Sequence, residues 1–183
     1  MSNEFSTAIA GSEVKNNCIV ISQPMYFPWA GILEQVRLSD IFVHYDDVQF
    51  SKGSFSNRDQ VKTDNGMRWM TVPLKSCKLG QLINEVEIDY RMDWQRSHRD
   101  MLKQAYADSE YRAEMLDLVD EVFSRKYDSL AELSKASLMA LLRYFGLEDG
   151  RTFIDSHELN VSGFSTQRVV DICLQLNANR YVT

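Results

Sequence analysis

Cysteine is scarce in this chain and badly spaced for joint use. Its three copies, Cys18, Cys77 and Cys173, are an odd number and far apart. They form neither a Cys-x-x-Cys metal pair nor a disulfide framework, so a reducing cytoplasm is the expected setting. Basic residues are outnumbered too: 20 Lys and Arg stand against 26 Asp and Glu, for a net charge of -6. That balance argues against broad nucleic-acid binding, which needs a basic face. It leaves room for a small local anion site. No apolar run approaches the roughly 18 residues of a membrane helix, so no membrane insertion is expected. Residues 1–17 hold Glu4, Glu13 and several Ser and Asn, without the apolar centre of a secretion signal. They read as a disordered lead-in. Three signatures are missing as well. No Gly-x-Gly-x-x-Gly follows a strand, no phosphate loop ends in Gly-Lys-Ser/Thr, and no Gly-x-Ser-x-Gly elbow surrounds Ser156, which precedes His157. Dinucleotide-binding, P-loop and serine-hydrolase readings therefore lose their main support.

What is present is ordinary globular composition, 44% apolar and 25% charged. The chain is long enough for one domain with its own core. The expected organisation is a single α/β domain over 18–183, with a helical insert over about 92–146. Its organising stretch is Cys18 to Arg58. Cys18–Ser22 is a short run rich in β-branched residues and predicts a buried strand. Pro24 and Pro28 then exclude helix, because each restricts itself and the residue before it. From Ala30 to Ser39 the positions Ile32, Leu33 and Val36 predict a helix. Asp40–Tyr45 is the second strand, expected parallel to the first. This βαβ unit would begin a Rossmann-like three-layer sheet, with ligands beyond the carboxyl ends of the strands.

Further on, Asp64-Asn65-Gly66 between extended runs predicts a β-hairpin. Ile83–Asp89 alternates and is expected to be a half-buried strand. Apolar spacing then predicts helices near 93–107, from about Tyr111 to Phe123, and from about Leu130 to Phe145. Thr152–Asp155 could return to the sheet. Ser165 is expected to cap a helix, and Arg180–Thr183 to begin one more strand.

The candidate chemistry lies in two loops. The first, Gln23 to Gly31, offers aromatics for a ring or sugar face, with Gln23 as a polar contact. The following helix start suits a phosphate. The second, Asp46 to Asp59, is long, polar and weakly periodic, which favours a functional role. Asp46 or Asp47 would act as base or hold Mg²⁺ brought by a phosphate-bearing substrate. Asn57 and Arg58 would hold that phosphate or a carboxylate, since Arg presents a planar charged fork. His44 near the second strand's end is a helper for acid–base work if it faces the loops; its plainer role is a satisfied core histidine.

Five pieces in order, Gln23-Pro24-Met25-Tyr26-Phe27-Pro28-Trp29-Ala30-Gly31, Ser39 to Val43, Asp46 to Phe50, Asn57-Arg58 and Trp69 to Pro73, resemble the WbqC-like protein family. Gln167 to Cys173 and Arg180 to Thr183 resemble the family's later portion. Two departures stand out. Ser22 replaces the His that many members carry there. The chain also ends before the Gly-rich loop that usually follows, as in a C-terminally shortened member. The resemblance implies bacterial surface-polysaccharide and O-antigen (lipopolysaccharide) biosynthesis. The expected function is a transferase acting on a nucleotide-linked or amino sugar, a small-molecule substrate. Its site would combine Asp46, Asp47 and His44 for chemistry with Gln23, Tyr26, Trp29, Asn57 and Arg58 for binding. The alternatives are a non-catalytic sugar- or nucleotide-binding or assembly protein, and a nucleotidyltransferase-like enzyme. The oligomeric state is left open.

Overall fold

Strands β1 (Cys18–Ser22) and β2 (Ile41–His44) lie parallel, joined by helix α1 (Ala30–Leu38). The computed structural model describes residues 17–183, so all of the expected lead-in over 1–17 except Asn17 lies outside the described residues. After β2 come a hairpin of β3 (Arg58–Thr63) and β4 (Gly66–Thr71), then helices α2 (Trp94–Ala105), α3 (Arg112–Phe123) and α4 (Leu130–Tyr144). The chain returns to the sheet as β5 (Thr152–Asp155), crosses through α5 (Ser165–Gln175) and ends in β6 (Arg180–Val182). The sheet order is β5-β2-β1-β6, all parallel, with the hairpin as a separate two-stranded sheet. This is an α/β, Rossmann-like order in which the third, second, first and fourth sheet strands lie side by side.

Alternation along the strands builds two cores, one on each face. Val20 and Phe42 pack with Ile32 and Val36 of α1 and with Leu138 and Leu142 of α4. Ile19 and Val43 point the other way, onto Ile172 of α5. Period-2 side chains on buried strands must divide in this manner, and helices on both faces cover the result. Arg151 fastens the α1 end of the sheet. Its guanidinium donates to the Val36 and Arg37 carbonyls at the end of α1, and the Val36 carbonyl also accepts the Ser39 N–H and hydroxyl.

A third core joins the hairpin to α2, α3 and α4 through Val61, Met70, Val72, Leu102, Val119 and Leu133. The hairpin turns at Asp64-Asn65, and Gly66 has φ 95°, a left-handed value that glycine adopts without a Cβ penalty.

Two local expectations fail. Ile83–Glu85 is a 3₁₀ turn and not the start of a strand, and the alternation beyond it leaves only isolated bridges, Leu74 to Ile88 and Glu87 to Ser129. Ile83, Val86 and Ile88 are buried there without a ladder partner, so burial alone produced the strand-like pattern. Ser165 is not the cap of α5. Phe164 holds that position without a side-chain bond, and Ser165 is the first helical residue.

Candidate functional site

The carboxyl ends of β2 and β5 lie side by side, with His44 opposite Asp155. The residues immediately beyond them meet there. Asp46 is fully buried, and its carboxylate is the hub. One oxygen takes His157 Nδ1 at 2.8 Å and Lys135 Nζ at 3.4 Å. The other faces the His157 backbone N–H at 3.4 Å and Ser156 Oγ at 3.3 Å. Lys135 projects from α4 and also reaches Asp155 at 2.7 Å, so one ammonium bridges two carboxylates.

The tautomer of His157 follows from this geometry. An ionised carboxylate only accepts, so Nδ1 carries the proton toward Asp46 and Nε2 keeps a lone pair in the neutral ring. Nε2 has no hydrogen bond among the described residues, the ring is 44% exposed, and His157 lines an open cleft of about 570 Å³. Ser156 is committed elsewhere. Its hydroxyl accepts the Asp46 N–H at 3.1 Å and donates to Asp47. With its single proton used and no exposure, Ser156 is a brace and not a nucleophile.

Asp47 is held by Arg168, whose buried guanidinium also donates to the Val161 carbonyl at 2.9 Å and lies over the Tyr45 ring. Burial raises the Asp47 carboxyl, but the Arg168 and Ser156 hydrogen bonds outweigh it and hold the group below its ordinary value. The cleft is otherwise acidic. Glu85 and Glu132 join Asp46 and Asp47 in its lining, against Lys135 and His157. Asn84 lines it as well, and its buried Oδ1 has no hydrogen-bond partner among the described residues.

Asp46, Asp155 and His157 are also the residues that could hold a metal, each offering a ligand atom within 4.8 Å of the others. A divalent ion there would compete with the Lys135 ammonium for the same oxygens.

The sequence-derived residues divide sharply. Asp46 and Asp47 come together at the cluster. His44 is at its edge but 4% exposed, set between Phe42 and Phe153. Burial pushes its imidazole down to about 4, so it is neutral and shielded at ordinary pH. Tyr26 is in the core, 1% exposed, with its hydroxyl 2.9 Å from His98 Nδ1. It has no free face on which to stack a substrate. Asn57 is buried in the hairpin, donating to the Val72 carbonyl at 3.1 Å. Arg58 bonds the Gly53 carbonyl and stacks on Trp69, 4.1 Å from the ring centre. Neither lines the cleft. Gln23 and Trp29 are exposed on the first loop, where the Trp29 ring lies over Gly31 so closely that no Cβ fits beneath it.

The residues that sequence reasoning passed over are Lys135, Asp155, Ser156, His157 and Arg168. A signal for three of them existed. Thr152–Asp155 reads as a returning strand, and the rule that places ligands beyond strand ends points at once to Asp155-Ser156-His157. Lys135 and Arg168 lie mid-helix and carry no such mark.

A parallel α/β sheet with a polar cluster at its carboxyl edge defines the class of protein. The comparisons with known proteins narrow it further: residues 23–183 match the model of the WbqC-like protein family, and the chain belongs to that family. It is also similar to an uncharacterized protein, Rv1507c, of Mycobacterium tuberculosis. The two are 29% identical over 167 residues, covering 90% of this chain and 71% of the relative. No solved structure matches the chain.

Proposed function

We propose that this WbqC-like protein is a transferase acting on a nucleotide-linked or amino sugar in bacterial surface-polysaccharide (O-antigen) biosynthesis. The observation that carries the reading is the Asp46–His157 pair. Asp46 orients the ring and stabilises the imidazolium that forms, while Nε2 is left as a general base beside the cleft. In the proposed step an acceptor hydroxyl or amine attacks the electrophilic carbon of the donor. Nε2 takes the acceptor's proton as the new bond forms, and the donor's leaving group departs with the old bonding pair. Lys135 bridges Asp46 and Asp155 and holds them in place.

The cleft's charge favours the acceptor over a polyphosphate as its direct occupant. Its lining carboxylates and the unpaired Asn84 oxygen are acceptors, suited to ammonium or hydroxyl donors. Gln23 and Trp29, exposed on the neighbouring loop, are the remaining candidates for sugar contact. The three free cysteines support a cytoplasmic setting. Among the described residues no helix is long and apolar enough to cross a membrane.

The test is a thermal-shift titration with amino sugars, nucleotide sugars and acyl donors. It compares the natural chain with Asp46→Asn and His157→Ala. An amino or nucleotide sugar should raise the melting temperature of the natural chain and do so less in the Asp46 variant. Turnover of that sugar should drop by about 10²-fold or more in the His157 variant. Binding and turnover indifferent to both substitutions would remove the cluster from the reaction.

A further inference from the structure

A second pocket, of about 490 Å³, lies between the hairpin and helices α2, α3 and α4. It shares no lining residue with the cleft at the strand ends. Its floor includes Val61, Met70, Leu102 and Val119, all buried. Exposed aromatics, Tyr106, Tyr111, Tyr144 and Phe145, stand around it. The size and the apolar lining are those of small-molecule sites.

Its charge is one-sided. Asp59 and Glu114 line the pocket, and no Lys, Arg or His does. Glu114 accepts the Tyr144 hydroxyl. Asp59 is half-buried on β3, and one oxygen takes the Gln60 N–H at 2.7 Å. No cation pairs with Asp59 among the described residues. Burial raises its carboxyl above the ordinary range, the mark of a charge that the fold has left without compensation.

We propose that this pocket binds a small molecule with an apolar body and a single ammonium head, the head pairing with Asp59 and the body filling the space over Val61, Met70 and Val119. Each part of the ligand answers a feature of the pocket. The floor gains from covering apolar area, and the aromatic rim accepts a cation on its ring faces. A carboxylate or phosphate ligand would meet two acids and no partner. The site is separate from the proposed transferase cleft and does not depend on that assignment.

Isothermal titration of the full chain near neutral pH with octylamine, 1-octanol and octanoate tests it. Octylamine should bind roughly tenfold tighter than octanol, with octanoate weakest, because a partly desolvated cation site discriminates by about this much. Asp59→Asn should bring octylamine down to the level of octanol. Met115→Trp, which fills the pocket from α3, should weaken both. Equal binding of amine and alcohol, preference for octanoate, no binding at all, or an amine preference that survives Asp59→Asn would each overturn the proposal. Should the Met115 variant fail to fold, the Asp59 comparison decides alone.

Discussion

Two loops leave neighbouring strands at the same edge of the sheet. The one after β1 carries Tyr26, Phe27 and Trp29; the one after β2 carries Asp46 and Asp47. Aromatics in a loop invite a binding role, and paired acids are common on surfaces. The structure assigns Tyr26 and Phe27 to packing and the acids to the polar cluster. Tyr26 closes onto His98 and Trp94, and Phe27 packs edge-on against Tyr26 and Phe123. Asp46 disappears from solvent altogether, yet it does so among a lysine, a histidine and a serine that satisfy it. Burial therefore means different things in the two loops. For Tyr26 it is apolar area with one polar tip. For Asp46 it is a charge that holds only because its partners hold.

The sharpest way to break this comparison is to remove the core member of the first loop. Tyr26→Ala should destabilise the fold by about 3–5 kcal/mol, as large-to-small changes at buried aromatics do, measured by denaturant unfolding. A loss below about 1 kcal/mol would mean the ring is not a core element. The matching cut in the second loop is Lys135→Ala, which leaves Asp46 and Asp155 without their shared cation. A cost of roughly 3 kcal/mol is expected by denaturant unfolding, and a loss below about 1 kcal/mol would mean the lysine does not hold the cluster.

Acid provides the next largest contrast. His44 and His98 are both pushed down to about 4, chiefly by burial. Between pH 4 and about 6.5 the unfolded chain takes up protons that these folded rings refuse. Stability should thus be full above about pH 6.5 and fall as the solution is acidified toward 4, by about 3 kcal/mol for each ring across that window. The His98 ring also meets the Thr71 backbone, and the Tyr26 hydroxyl lies 2.9 Å from its Nδ1. Replacing both partners, Tyr26→Phe with His98→Leu, should flatten part of the slope in melting temperature against pH. An unchanged slope would assign it elsewhere.

Smaller effects separate the remaining sequence candidates. Arg58→Ala loses a stack on Trp69 and a bond to Gly53, and should cost about 1 kcal/mol with no change in sugar binding at the cleft. A strong binding loss would return Arg58 to the site. Trp29 is 66% exposed. Trp29→Ala should change stability by less than about 0.5 kcal/mol, so any loss of sugar affinity in that variant reports a direct contact.

Much of the frame was legible from local pattern. β-branched runs at Cys18–Ser22 and Ile41–His44, the prolines between them and the apolar spacing of α1 predict the βαβ unit, and the fold forms it with Ile19 opposite Ile41. The Asn-Gly turn and the helical spacing of α2, α3 and α4 were equally readable, because neighbours in sequence determine them. Ile83–Asp89 misled because alternating burial in an irregular segment mimics a strand.

Alone, then, the sequence determined the α/β class, the βαβ start and the family, and it singled out Asp46 and Asp47 as candidates. Tertiary structure decided which polar residues those acids meet. His157 reaches Asp46 across 111 positions and Lys135 across 89. Those separations follow from strand order and from the placement of α4 on the sheet, not from local spacing. The same long-range packing took Tyr26, Asn57 and Arg58 away from the cleft and left Asp59 facing an apolar pocket. Periodicity reports which face of an element is buried; only the fold reports what lies opposite it.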